Sequence, residues 1–154
     1  MRSTVFTALS LTLAACASTP REAEPIFRSI NIRPFPSITL GERFEPIPPA
    51  TRVNDSTWAL RPRSFGEAET IHVHVRPDGR VYAISFTYGT EESYARKVAS
   101  YTESLGPAFS RSSPEADSAW TAWRDPRTRF ELSRIRGQPE RLRARMSDQG
   151  PGSR

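Results

Sequence analysis

The sequence predicts an α+β fold, an antiparallel β-sheet in the chain order β-β-α-β-β-β with one helix packed on one face and Pro-rich extended segments before it. Three patterns carry this expectation. From Glu69 to Gly89, Ile71, Val73 and Val75 alternate with His72, His74 and Arg76, the chain turns at Pro77-Asp78-Gly79, and Tyr82, Ile84, Phe86 and Tyr88 resume the alternation. That is a β-hairpin, because side chains on a strand change face at every residue. Tyr94, Val98, Tyr101 and Leu105 then recur at intervals of four, three and four residues, the spacing of one helical face. Two further alternating stretches flank Asp125-Pro126-Arg127, and a third runs from Arg141 to Met146.

Taken in order, the segment from Ile26 to Pro62 resists a helix, since eight of the fourteen prolines fall between Pro20 and Pro62. Short extended pieces are expected at Ser29 to Ile32, Ser37 to Leu40 and Ser56 to Arg61, with the prolines as caps and turns around them. The hairpin follows. Thr90 is the expected N-cap of the helix, Glu91 and Glu92 suit the positive end of its dipole, and Gly106 before Pro107 stops it. A Ser/Pro-rich loop from Ser110 to Ser118 leads to the second hairpin, "AWTAWR" and "TRFELSRI" around the Asp-Pro-Arg turn. In "RLRARM", Leu142, Ala144 and Met146 alternate with Arg141, Arg143 and Arg145. This is read as a last, half-exposed edge strand, on which arginine also discourages pairing with a second chain. Trp58, Trp120, Trp123 and the aromatics of the helix are the expected centre of the core.

Composition limits the rest. A chain of 154 residues holds one ordinary domain, and a mean hydropathy of -0.56 with 36% apolar residues leaves room for extended structure. The net charge is +5, and 21 of its 22 cationic side chains are arginine. The signs are interleaved, so the charge points to an anionic partner such as headgroups or envelope polysaccharide, and no nucleic-acid motif accompanies it.

The first residues read as a targeting segment. Arg2 is followed by an apolar run from Val5 to Ala15, interrupted only by Thr7, Ser10 and Thr12. At about 1.5 Å per residue this run covers half of a ~30 Å hydrocarbon core, which fits a signal-peptide core and not a membrane span. The one cysteine of the chain, Cys16, follows directly. Leu13-Ala14-Ala15-Cys16 resembles the lipobox of bacterial lipoproteins. The resemblance implies cleavage before Cys16, diacylglycerol on its sulfur, and acylation of the new amino terminus. Two or three acyl chains make a durable anchor where one does not. Ala17 is not the aspartate that resembles an inner-membrane retention signal, so the outer membrane is the expected destination, facing the periplasm. An acylated Cys16 leaves no thiol for a disulfide, for cysteine catalysis or for a zinc site. The expected organisation is a signal peptide over 1–15, the acylated cysteine and a tether over 16–25, one domain over 26–146 with its Pro-rich part at 26–62, and a disordered tail over 147–154.

The domain itself is similar to small envelope lipoproteins of the SmpA/OmlA outer-membrane-assembly type. The likeness lies in "ITLG", Ile38 to Gly41, and in "SLGPAF", Ser104 to Phe109. Pro46, Pro48 and Pro49 break the helix which that family places after its Leu-Gly, so no functional residue is carried over.

Two constellations remain as candidates for chemistry. His72 and His74, at i and i+2 of a strand, share one face ~6.5 to 7 Å apart and form the half of a metal site, or the base of a hydrolase. Glu69 and Asp78 are the nearest carboxylates in sequence, and no Gly-x-Ser-x-Gly elbow or phosphate-cradling glycine loop is present. A solvent-facing polar pair accounts for the two histidines as well. Arg134, Arg136, Arg141, Arg143 and Arg145 form one basic surface if the last two strands pair. The expectation is therefore a lipid-anchored envelope protein with a small non-catalytic binding or assembly domain, without cofactor or metal. Its partners would be the membrane, through Cys16, and an envelope protein or polymer. The two rivals are a metal-dependent or hydrolytic enzyme using His72 and His74, and a contact to anionic lipid or polysaccharide through the Arg-rich strand.

Overall fold

The computed structural model describes residues 25–32, 35–61, 68–90, 92–113 and 118–150. The expected signal peptide over 1–15, Cys16, the expected tether up to residue 24 and Glu91 lie outside the described residues. Ten strands and one helix follow one another as β1 (Ser29–Ile30), β2 (Ile38–Thr39), β3 (Thr51–Asn54), β4 (Thr57–Leu60), β5 (Ala68–Val75), β6 (Val81–Tyr88), α1 (Tyr94–Leu105), β7 (Ser110–Arg111), β8 (Trp120–Arg124), β9 (Thr128–Ile135) and β10 (Gln138–Asp148).

This corrects the expected fold class. Among the described residues the structure is mostly β, with one helix, an eight-stranded antiparallel sheet in the order β3-β4-β5-β6-β10-β9-β8-β7, and a separate two-stranded sheet of β1 and β2. The Pro-rich part supplies the difference. Its prolines at 46, 48 and 49 sit in the connection before β3, where no ladder hydrogen bond is lost, so β3 and β4 extend the main sheet beyond β5. β3 reads Thr-Arg-Val-Asn and is exposed along its whole length, so no alternation announced it.

The largest correction concerns the strand around Arg141 to Met146. It is not an edge. β10 pairs with β6 on one side and β9 on the other, and the edges are β3 and β7. Leu142, Ala144 and Met146 are completely buried, which an edge position could not offer to all three. β10 also runs two residues past the expected end of the domain. Ser147 and Asp148 pair with Arg129 and Thr128, and residues 151–154 lie outside the described residues.

Both hairpins form at their predicted turns. Gly79 holds φ +79° in the first, a conformation that side chains with a Cβ rarely adopt. In the second, one Asp125 carboxylate oxygen accepts from the backbone N–H of Arg127 and Thr128, each at 2.7 Å. The other oxygen accepts from the N–H of Ile26 at 2.7 Å and so fastens the start of the described chain to this turn. The helix starts later than expected. Its N-cap is Ser93, not Thr90, and Glu92 lies just before it, pairing with Arg96 at 3.0 Å and Lys97 at 3.6 Å. Gly106 ends it at φ +81°, as the Gly-Pro pair implied.

One face of the sheet carries the core. Ile71, Val73, Ile84, Phe86, Phe130, Leu132 and Trp123 point to it, and residues 26–32 and 35–44 together with α1 cover it. Tyr101 of α1 lies 4.6 Å from the ring of Phe130 and 5.9 Å from that of Trp123, while Tyr94 meets Thr121 through its hydroxyl at 2.8 Å. Phe44 reaches Trp58 at 6.1 Å. Arg28 locks the N-terminal segment in place. Its guanidinium donates to the carbonyls of Arg127 and Leu40, to the Thr128 hydroxyl, and to Asp148 at 2.7 Å. Of the three tryptophans only Trp123 is fully buried, and its indole N–H donates to the Gly106 carbonyl at 3.0 Å. Trp58 and Trp120 are half-buried.

Replacing Trp123 with alanine removes the largest buried side chain together with a satisfied N–H, and should cost about 3–5 kcal/mol. Trp58→Ala should cost clearly less. Urea unfolding midpoints of the two variants check this, and equal losses would contradict the burial order.

Candidate functional site

The opposite face of the sheet carries neither the helix nor the N-terminal segment. Its layout follows from register, since directly opposed residues in antiparallel strands share a face. One row runs Ala59, His72, Ser85, Arg145, Glu131 and Ala122 across β4, β5, β6, β10, β9 and β8. The next runs Thr57, His74, Ala83, Ser147, Arg129 and Arg124. A third contains Thr87, Arg143, Ser133 and Trp120. Small residues on β6 thus lie between histidines on β5 and arginines on β10.

That alternation lets the long side chains lean over the small ones. Ser85 is only 4% exposed, and its hydroxyl meets Nε2 of His74 at 3.0 Å. Nδ1 of His74 meets the Thr57 hydroxyl at 3.2 Å. Both ring nitrogens are therefore satisfied by neutral hydroxyls. The His72 ring lies 6.4 Å from His74, Tyr82 lies 6.0 Å from His74 on the other side, and the Arg145 guanidinium stands 6.0 Å over the Tyr82 ring. Four planar groups from three strands form one continuous layer.

Burial, then the nearby charges of Arg145, His72 and Arg143, push the His74 pKa down to about 4. His72 is lowered as well, by burial and then by Arg143. Both imidazoles are neutral at pH 7. A neutral imidazole can ligate a metal, yet among the described residues no group of three His, Cys, Asp or Glu stands together to hold one. The Ser85–His74–Thr57 line has the outline of a nucleophile, a base and an orienting group. A base that protonates only near pH 4 is weak at neutral pH, the orienting group is a hydroxyl and not a carboxylate, and Ser85 is buried beneath the ring.

The five arginines expected to form one surface are divided by the register. Arg134 is opposed to Leu142 and turns to the helix side, where its guanidinium lies 5.5 Å from the Tyr94 ring. Arg136 is exposed in the turn beside Gly137, between β9 and β10. Arg141 pairs with Glu69, whose carboxylate fits against Gly89 where a Cβ would stand only 2.7 Å away. Arg143 and Arg145 remain together on the open face, both exposed, with no carboxylate paired to either among the described residues. Sequence reasoning missed two further members. Arg124 and Arg129 share this face at its far end, flanking the exposed Phe109 ring at 4.6 and 5.8 Å, and Arg129 also pairs with Glu131 at 2.7 Å. Their strand pattern was legible, but their face depends on pairing with β10.

No family model, curated protein or solved structure matches the chain. Among the described residues no helix is long and apolar enough to cross a membrane.

The depressed histidines make stability depend on pH with a definite sign. The unfolded imidazole protonates around 6.5 and the folded His74 only near 4, so the unfolded state binds more protons across that window. Stabilisation present above pH 6.5 should drain away as the pH falls towards 4, with His72 acting in the same direction. An NMR titration of the ring C2 protons should place His74 well below His72 or any exposed histidine. Arg145→Gln should raise the His74 value only in part, because burial is the larger cause.

Proposed function

We propose that the chain is a lipid-anchored protein of the bacterial cell envelope, acylated at Cys16 and held at the outer membrane facing the periplasm. Its domain binds an envelope partner through the open sheet face and catalyses no reaction. The observation that carries the binding half is the asymmetry of the sheet. One face is closed by residues 26–32 and 35–44 and by α1, while the other presents exposed Arg143 and Arg145, without a paired carboxylate among the described residues, beside hydroxyls and neutral imidazoles. Unpaired guanidinium groups in a fixed row supply complementarity and specificity to an anionic partner. The weak basicity of His74 and the burial of Ser85 favour a binding role for this face over a hydrolytic one. The anchoring half is supported by the lipobox-like Leu13-Ala14-Ala15-Cys16 behind its short apolar run.

Each half has its own test. Metabolic labelling with palmitate should mark the wild-type protein, whereas Cys16→Ala should carry no label and accumulate as uncleaved precursor. Normal processing of that variant would refute the anchor. Capture of partners from detergent-solubilised envelope should fall at least tenfold for the Arg143→Glu/Arg145→Glu pair relative to wild type. Undiminished capture would remove the open face from the reading.

A further inference from the structure

Arg124, Arg129, Arg141, Arg143 and Arg145 share the open face with the carboxylates of Glu69 and Glu131, and these two are already engaged by Arg141 and Arg129. Among the described residues, Arg124, Arg143 and Arg145 therefore have no carboxylate paired to them. Arg143 and Arg145 sit at i and i+2 of β10, so their guanidinium groups leave the same face ~6.5 to 7 Å apart along the strand. Around them stand groups that donate and accept hydrogen bonds without charge, Ser133 and Thr87 beside Arg143 and the His72 ring across β6, while the His74 ring, whose nitrogens are taken by Thr57 and Ser85, and the Tyr82 ring under Arg145 add flat surface.

We propose that this face, between β5 and β10, is a binding site for an acidic glycan. Carboxylate or phosphate groups along the polymer are taken by Arg143 and Arg145, and the sugar hydroxyls by the Ser133 and Thr87 hydroxyls and the His72 imidazole. The inference rests on the envelope-binding reading and gives that face its ligand class. Three features select a glycan over the other anionic surfaces. A protein partner would call for an apolar centre to its interface, and this centre is polar. A bilayer would call for apolar side chains reaching outward beside the free arginines, yet among the described residues the exposed large apolar side chains stand elsewhere: Phe27 lies against Phe130 on the core side, Val53 is on the edge strand β3, and Phe109 is held between Arg124 and Arg129 at the far end of the face. A linear chain of hydroxylated, negatively charged units matches both the unpaired guanidinium groups and the neutral polar layer between them.

The test uses the full chain, acylated and held in detergent micelles, with defined probes. Alginate oligosaccharides, which are uronate polymers, should bind, and neutral dextran oligosaccharides should not. Binding should weaken at high salt and fall tenfold or more in Arg143→Ala/Arg145→Ala, with the near-ultraviolet circular dichroism of the tryptophans unchanged as the check on folding. Saturation with alginate should also move the His74 titration upward, because an anion beside the ring favours the imidazolium. The charged and titratable groups facing that ring are His72 on β5, Tyr82 on β6, Arg143 and Arg145 on β10 with Arg141 and its partner Glu69 beside them, and the paired Arg129 and Glu131 on β9. Absence of alginate binding would overturn the proposal, as would equal binding of polyglutamate or preferential binding of soluble dihexanoyl-phosphatidylglycerol. Each of these outcomes leaves palmitate labelling and envelope capture untouched, so the glycan assignment can fail while the envelope reading stands.

Discussion

The central position of β10 is the constraint on which the rest depends. It joins the half of the sheet built on the β5-β6 hairpin to the half built on β8 and β9, pairing with β6 from Leu142 to Ser147 and with β9 over nearly the same residues. Its alternation must therefore satisfy two neighbours on two faces at once. Leu142, Ala144 and Met146 enter the core, and Arg141, Arg143 and Arg145 are delivered to the open face as a geometric consequence. A shift of one residue would put three guanidinium groups into the core, at a desolvation cost of several kcal/mol each. The register that holds the sheet together thus also sets the candidate site.

One-sided coverage follows. A sheet with a single apolar face needs a single covering layer, and here that layer has two parts. The helix contributes Tyr94 and Tyr101 against Thr121, Phe130 and Trp123, and the N-terminal segment contributes Ile26, Ile30, Ile32 and Leu40. The N-terminal part has little regular structure of its own. It is held by Arg28 and by the Asp125 carboxylate, which ties the first described residues to the β8-β9 turn. With both parts on the core side, nothing from them remains to cover the histidine and arginine rows. The open face depends instead on local polar satisfaction, with His74 between two hydroxyls and Glu69 and Glu131 each on an arginine.

Much of this was legible along the chain, for reasons that differ residue by residue. Both hairpins could be read because their turns, Pro77-Asp78-Gly79 and Asp125-Pro126-Arg127, are local chemistry flanked by alternating strands, although a register shift between His74 and Val75 takes Tyr82 out of the alternation and onto the histidine face. His72 and His74 could be placed on one face for the same reason. The helix start differs from the expectation because Ser93 takes the N-cap position, without a side-chain cap hydrogen bond, and the next residue, Tyr94, already packs against Thr121. β3 was invisible because an exposed edge strand needs no apolar period. The basic surface was only half legible. Arg143 and Arg145 follow from their own strand, but Arg134 leaves the group, and Arg124 and Arg129 join it, only once β9 is set against β10.

The two hairpins, the helix face and most of the alternation are written locally in the chain, because turn chemistry and side-chain period act over a few neighbouring positions. The sequence also carries the lipobox-like stretch ending in Cys16, whose chemistry needs no fold. Tertiary structure alone decided that the fold is mostly β, that the arginine strand lies at the centre of the sheet, and that one face stays open. Those outcomes turn on which strands pair and in what register. Such pairings join residues as distant in the chain as Ser85 and Arg145, and their energies come from burial and cross-strand contact that exist only after the chain has closed.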